Sequence, residues 1–92
     1  MPVTYVHIEW PDRTIDHVYS PSSVIRKYFK SEEYLSIEMF SATCTKALNE
    51  ASERVRQKFG ITCTAAKAES QRINALCETY DNSKKVKIVS IN

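Results

Sequence analysis

One stretch constrains this chain more than any other: Ser36 to Gly60, SIEMFSATCTKALNEASERVRQKFG. Ile37, Phe40, Cys44, Leu48, Ala51, Val55 and Phe59 recur at spacings of three and four. At 3.6 residues per turn they form one apolar stripe, the mark of a helix lying on a core. Lys46, Asn49, Glu50, Glu53 and Gln57 fall on the opposite side. Ser36 can cap the first turn with its hydroxyl. Leu35 and Phe40 then have the spacing of a hydrophobic staple. Glu38 lies at the positive end of the helix dipole, and Arg54, Arg56 and Lys58 at the negative end. Glu50 and Arg54 make a favourably ordered i,i+4 pair. Gly60, the only glycine, supplies a left-handed residue to end the helix.

Such a helix needs a surface to lie on, and the chain is short. Its 92 residues suit a single domain over 1–92, burying roughly 60% of the unfolded surface. The N-terminal stretch lacks the basic and apolar segments of a signal peptide, and no run approaches the length of a membrane span. Three cysteines, Cys44, Cys63 and Cys77, are an odd number without the pairing of a secreted disulfide framework. A cytoplasmic protein with reduced thiols is therefore expected. A net charge of +2 is too small to imply nucleic acid by itself.

Val3 to Trp10 alternates, with Val6, Ile8 and Trp10 on one face and Tyr5, His7 and Glu9 on the other. That pattern predicts a half-buried strand. Pro11-Asp12-Arg13-Thr14 reads as a turn, although glycine or asparagine is commoner than arginine where a hairpin turn needs positive φ. Ile15 to Tyr19 alternates again and completes a hairpin. Ser20 and Pro21 read as the cap and first residue of a short helix ending near Lys30, with 31–33 as a connection. Thr62 or Thr64 should cap a third helix reaching about Tyr80, with a stripe of Ala66, Ile73, Leu76, Cys77 and Tyr80. Its alanines favour close packing on the long helix as an antiparallel hairpin. Lys85 to Ile91 is a last strand, and its lysines suggest a sheet edge. The predicted order is β-β-α-α-α-β: an α+β domain with a three-stranded antiparallel sheet, a helical hairpin and a short helix.

Several stretches together resemble a known family. They are Trp10-Pro11-Asp12, Tyr19-Ser20-Pro21-Ser22, Ala47-Leu48, Ala51 to Arg56, and Lys58-Phe59-Gly60 with Cys63 beyond. The chain is similar to small bacterial proteins of the nitrogen starvation response, encoded beside a nitrilase, a radical-SAM protein, an acetyltransferase and a flavoprotein. The resemblance implies a setting in nitrogen limitation and in nitrile or cyanide metabolism, and neighbours that could be partners. It implies no catalytic residues and no cofactor.

The residues themselves propose few sites. Cys44 on the core stripe reads as a small hydrophobe. Cys63, near a helix start where the dipole lowers a thiol pKa, is the candidate reactive thiol; a half-buried structural residue is the plainer reading. Cys63 and Cys77 lack zinc-ligand spacing. His7 and His17 should sit at similar levels on the hairpin, either as ordinary cross-strand neighbours or as a proton-transfer pair needing a carboxylate nearby. Arg54 and Arg56 fit helix-end charges better than a nucleic-acid site. They are nevertheless candidates for partner contact, with Tyr19, Lys85 and Lys87. The expectation is a non-enzymatic accessory or regulatory protein that binds another protein, as a homodimer or with a product of the same gene cluster. The alternative is a sensor or carrier of a nitrogenous metabolite; an enzyme built on Cys63 and a histidine ranks third.

Overall fold

A computed structural model describes residues 3–61 and 64–92. In chain order it contains β1 (Thr4–Glu9), β2 (Ile15–Ser20), a 3₁₀ turn (Ser23–Lys27), β3 (Tyr34–Ser36), α1 (Ile37–Phe59), α2 (Thr64–Cys77) and β4 (Lys85–Ile91). The strands form one antiparallel sheet in the order β2-β1-β4-β3. The domain is α+β as expected, but the sheet has four strands rather than three. The extra strand is only three residues long and runs directly into the cap of α1. Leu35 pairs with Val86 and Tyr34 with Lys87. Strand β4 therefore lies inside the sheet, between β1 and β3, and Lys85 and Lys87 do not mark an edge.

α1 begins and ends where its caps place it. The Ser36 hydroxyl accepts from the Met39 N–H at 3.2 Å. Gly60 is left-handed, with φ 76°, and its N–H donates to the Arg56 carbonyl at 2.7 Å. The stripe is buried from Ile37 through Ala51. It then runs off the core: Val55 is half-buried and Phe59 is exposed. Length explains this. The 23 residues of α1 span roughly 34 Å, whereas six-residue strands cover roughly 20 Å.

α2 returns along α1, so that Asn74 near its C-terminal end meets Ser41 and Thr45 near the start of α1. It buries Ala66, Ile73 and Cys77 and ends there, with Tyr80 in the turn that follows. Thr64 is its first residue; Thr62 lies outside the described residues. The expected short helix is a single 3₁₀ turn capped by Ser22, whose hydroxyl accepts from the Val24 N–H at 3.3 Å. Ser20 is not that cap. It is buried in β2, and its hydroxyl donates to the Ser22 carbonyl.

Both helices and the 3₁₀ turn share one core with a single face of the sheet: Val6, Ile8, Trp10, Val18, Val86 and Ile88 against Ile25, Phe29, Ile37, Phe40, Leu48 and Ile73. A bulge in β4 pairs Ser90 with His7 and Ile88 with Ile8, leaving Val89 as the extra residue. It settles which way 89–91 face: Val89 and Ser90 remain exposed, and Ile91 returns to the core side opposite Val6.

The β1–β2 loop is a tight turn. The Arg13 N–H donates to the Trp10 carbonyl at 2.9 Å, and the Trp10 N–H to the Thr14 carbonyl at 2.8 Å. Asp12 accepts from the Thr14 N–H at 3.1 Å. Arg13 sits at φ 74°, the left-handed position that a three-residue hairpin loop requires and that glycine fills without steric strain. Arg13→Gly should therefore stabilise the fold by up to about 1 kcal/mol, read as a higher midpoint in urea unfolding; an unchanged or lower midpoint would show that the arginine side chain offsets the strain.

Candidate functional site: the open face of the sheet

The alternation that buries one face of the sheet leaves the other uncovered. Tyr5, His7 and Glu9 from β1, Ile15, His17 and Tyr19 from β2, Lys85, Lys87, Val89 and Ser90 from β4, and Tyr34 from β3 share this open face. Tyr5, Ile15, Tyr34 and Val89 are exposed there, Ile15 by 66% and Tyr34 by 59%.

The face has two parts. Over β1 and β2 the rings gather. His7 and His17 are direct cross-strand partners with ring centroids 6.0 Å apart, as the hairpin register predicted. Tyr5 meets His17 edge-on at 5.1 Å and Tyr19 at 6.0 Å. The Asn92 amide oxygen lies 2.9 Å from His7 Nε2. At the turn end of the sheet, Arg13, Lys85 and Lys87 line a recess of about 430 Å³ with Glu9, Trp10, Pro11 and Tyr34. Lys87 Nζ stands 6.0 Å from the centre of the Tyr34 ring.

Of the residues proposed from sequence, the structure brings Tyr19, Lys85 and Lys87 to this face. Arg54 and Arg56 are on α1, which covers the other face, and carboxylates occupy them. Arg56 holds Glu53 at 2.6 Å. Arg54 approaches Glu50 at 3.5 Å, and Glu50 also takes Lys27 at 2.7 Å and the Tyr28 hydroxyl. The hydrogen bonds from Lys27 and Tyr28 hold the Glu50 carboxyl below its usual range. These contacts pin the 3₁₀ turn to α1. Cys63 lies outside the described residues. Cys44 is fully buried, which pushes its thiol well up. Cys77 is buried as well, and its thiol is also raised. Among the described residues no group of three His, Cys, Asp or Glu could hold a metal.

A clasp on the β2 edge was not read from the sequence. Arg72 of α2 reaches Asp16 Oδ2 at 2.9 Å, Glu69 Oε1 at 2.8 Å and the His17 carbonyl at 2.8 Å. Glu69 accepts from the Tyr19 N–H at 2.8 Å. Asp16 also accepts from the Trp10 indole N–H at 3.0 Å and from the His17 N–H at 2.7 Å. Burial alone would raise both carboxyls, but the hydrogen bonds from Arg72 and its neighbours outweigh it, and both titrate below their usual range. Glu69 chiefly, then Asp16, holds the Arg72 guanidinium more firmly cationic. Side chains of α2 thereby occupy outward backbone groups of an edge strand, which would otherwise template another strand. One signal was available: Asp16 is in phase with Val18 and Ser20, and so is a charge on the core side of its strand.

The fold and its surface define a small α+β domain with helices on one side of an antiparallel sheet and a ring- and cation-bearing face on the other. No helix among the described residues is long and apolar enough to cross a membrane. Residues 5–91 match the family described as nitrogen starvation-induced protein NitG, and the chain belongs to this family. No curated protein and no solved structure matches it significantly. The family places the protein in the response to nitrogen starvation.

Proposed function

We propose that the protein is a non-enzymatic accessory of the nitrogen starvation response, acting in the cytoplasm by binding an acidic protein partner across its open sheet face. One observation carries this reading. The uncovered face groups exposed Tyr5, Ile15, Tyr34 and Val89 with Arg13, Lys85 and Lys87, against Glu9 as its carboxylate. Apolar surface with an excess of one sign of charge is what an interface for an oppositely charged partner presents. Aromatic and arginine side chains are also the usual anchors of such contacts. A product of the nitrilase gene cluster that the resemblance implies is the partner to try first.

The test is a tagged pull-down from nitrogen-starved cells beside the variant Ile15→Asp, whose exposed position leaves the core intact. The expected result is a stoichiometric acidic companion, weakened by salt and lost with Ile15→Asp. A companion indifferent to that variant, or self-association alone, would overturn the reading.

A further inference from the structure

We infer that the recess at the turn end of the open face is a binding site for a phosphate-bearing small ligand. Three cations line it, Arg13, Lys85 and Lys87, with one carboxylate, Glu9. Arg54, Arg56, Arg72 and Lys27 each have a carboxylate within 4 Å. None of the three recess cations takes part in an ion pair among the described residues. Three positive charges that converge from two segments on one carboxylate are left in excess and repel one another, and a polyanion between them relieves this. A neutral amine or an ammonium group would gain nothing there. A monocarboxylate would balance the charge only in part. Phosphate offers several oxygens to the guanidinium fork and to both ammonium groups.

Two further features point the same way. Arg13 occupies a left-handed position, φ 74°, at which its own backbone is strained, and strain of this kind gathers where a side chain must be presented. Tyr34, 59% exposed, forms a wall beside Lys87 and offers a ring on which a base can stack. The volume, about 430 Å³, lies within the range of small-ligand sites. Phosphate is the shared chemistry, and it can come from a nucleotide or from a phosphate ester without a base. The site shares Arg13, Lys85, Lys87 and Tyr34 with the proposed partner face, but it does not rest on that reading, because it is tested with small ligands on the protein alone.

The experiment is calorimetric titration of the whole protein at low salt with pyrophosphate, ADP and adenosine. Trp10, the single tryptophan, lines the recess and gives a second, fluorescent readout. Pyrophosphate and ADP should bind and adenosine should not. Lys85→Ser with Lys87→Ser should weaken both ligands at least about tenfold, the loss expected for a charge-assisted contact. Arg13→Gly should weaken them similarly while raising the melting temperature, which separates lost binding from lost folding. Tyr34→Ala should weaken ADP alone if the natural ligand carries a base. Equal binding of pyrophosphate and ADP, with no effect of Tyr34→Ala, would assign the site to phosphate esters without one. Lys58→Ser, a charge change on the far end of α1, should leave binding unchanged. No binding of either phosphate at millimolar concentration, or binding indifferent to Arg13, Lys85 and Lys87, would overturn the inference.

Discussion

Phe40→Ala should cost about 3–5 kcal/mol, the usual range for removing a fully enclosed phenyl ring. Phe40 is 0% exposed and stands where three parts of the chain meet. Trp10 from the end of the hairpin packs edge-on to it at 5.6 Å, and Phe29 from beyond the 3₁₀ turn lies at 5.9 Å. Trp10 is itself stacked on Tyr80 at 5.4 Å. The rings form one chain from α1 to the turn after α2, so no single neighbour can move into the cavity without leaving another. A folded chain of 92 residues has a total stability of roughly 5–14 kcal/mol. The loss would therefore consume much of it and lower the melting temperature by on the order of 20 °C. Phe40→Leu, which keeps most of the volume, should lose far less. Thermal unfolding followed by circular dichroism reads both. A fall of only a few degrees for Phe40→Ala would mean that the aromatic chain is not the centre of the core.

Phe40 also shows what was legible in the sequence. It is in phase with Ile37, Cys44 and Leu48, it lies four residues beyond a serine cap, and local information of that kind survives folding unchanged. The hairpin register is equally local, set by a short turn, so His7 and His17 could be placed side by side. What failed was non-local. Tyr34-Leu35-Ser36 is too short to show alternation, and it becomes a strand only because β4 arrives beside it. The lysines of β4 suggest an edge, but alternation reports which face a side chain takes and is silent on what lies to either side. Phe59 belongs to the apolar stripe of α1, yet periodicity carries no information on where the sheet beneath stops. Ser20 and Ser22 are equally good caps by type, and burial of β2 decided between them. The basic recess draws Arg13 from a turn and Lys85 and Lys87 from a strand more than seventy positions later, a juxtaposition that requires β4 to pair with β1.

Asp16→Ala should cost about 2–3 kcal/mol, combining an indole N–H left without its partner with the loss of a charge-assisted contact to Arg72. Trp10 is only 3% exposed, so water replaces the lost acceptor poorly. Arg72 is about 40% exposed at its side chain, so its share is reduced by solvent screening. Asp16→Asn, which retains a carbonyl oxygen for Trp10, should lose about half as much. The pH dependence gives a second, independent reading. Asp16 and Glu69 both titrate below their usual range in the folded protein. Groups with a depressed folded pKa contribute stability above the unfolded value, near 4 for carboxyls. That contribution is lost as pH falls through the folded values. Wild-type stability should thus hold above about pH 5 and decline below about pH 4, because unfolding then takes up protons. Asp12, Glu50 and Glu53 are also lowered; they persist in the variant, so they set a common acid background. Against it, Asp16→Asn should show a shallower decline, since one of the two clasp carboxylates no longer titrates. Urea unfolding at pH 7 and at pH 3 measures both effects: the gap between wild type and Asp16→Asn should narrow at the lower pH. A gap that stays constant would mean that the clasp acts through packing of the Arg72 and Trp10 side chains rather than through charge.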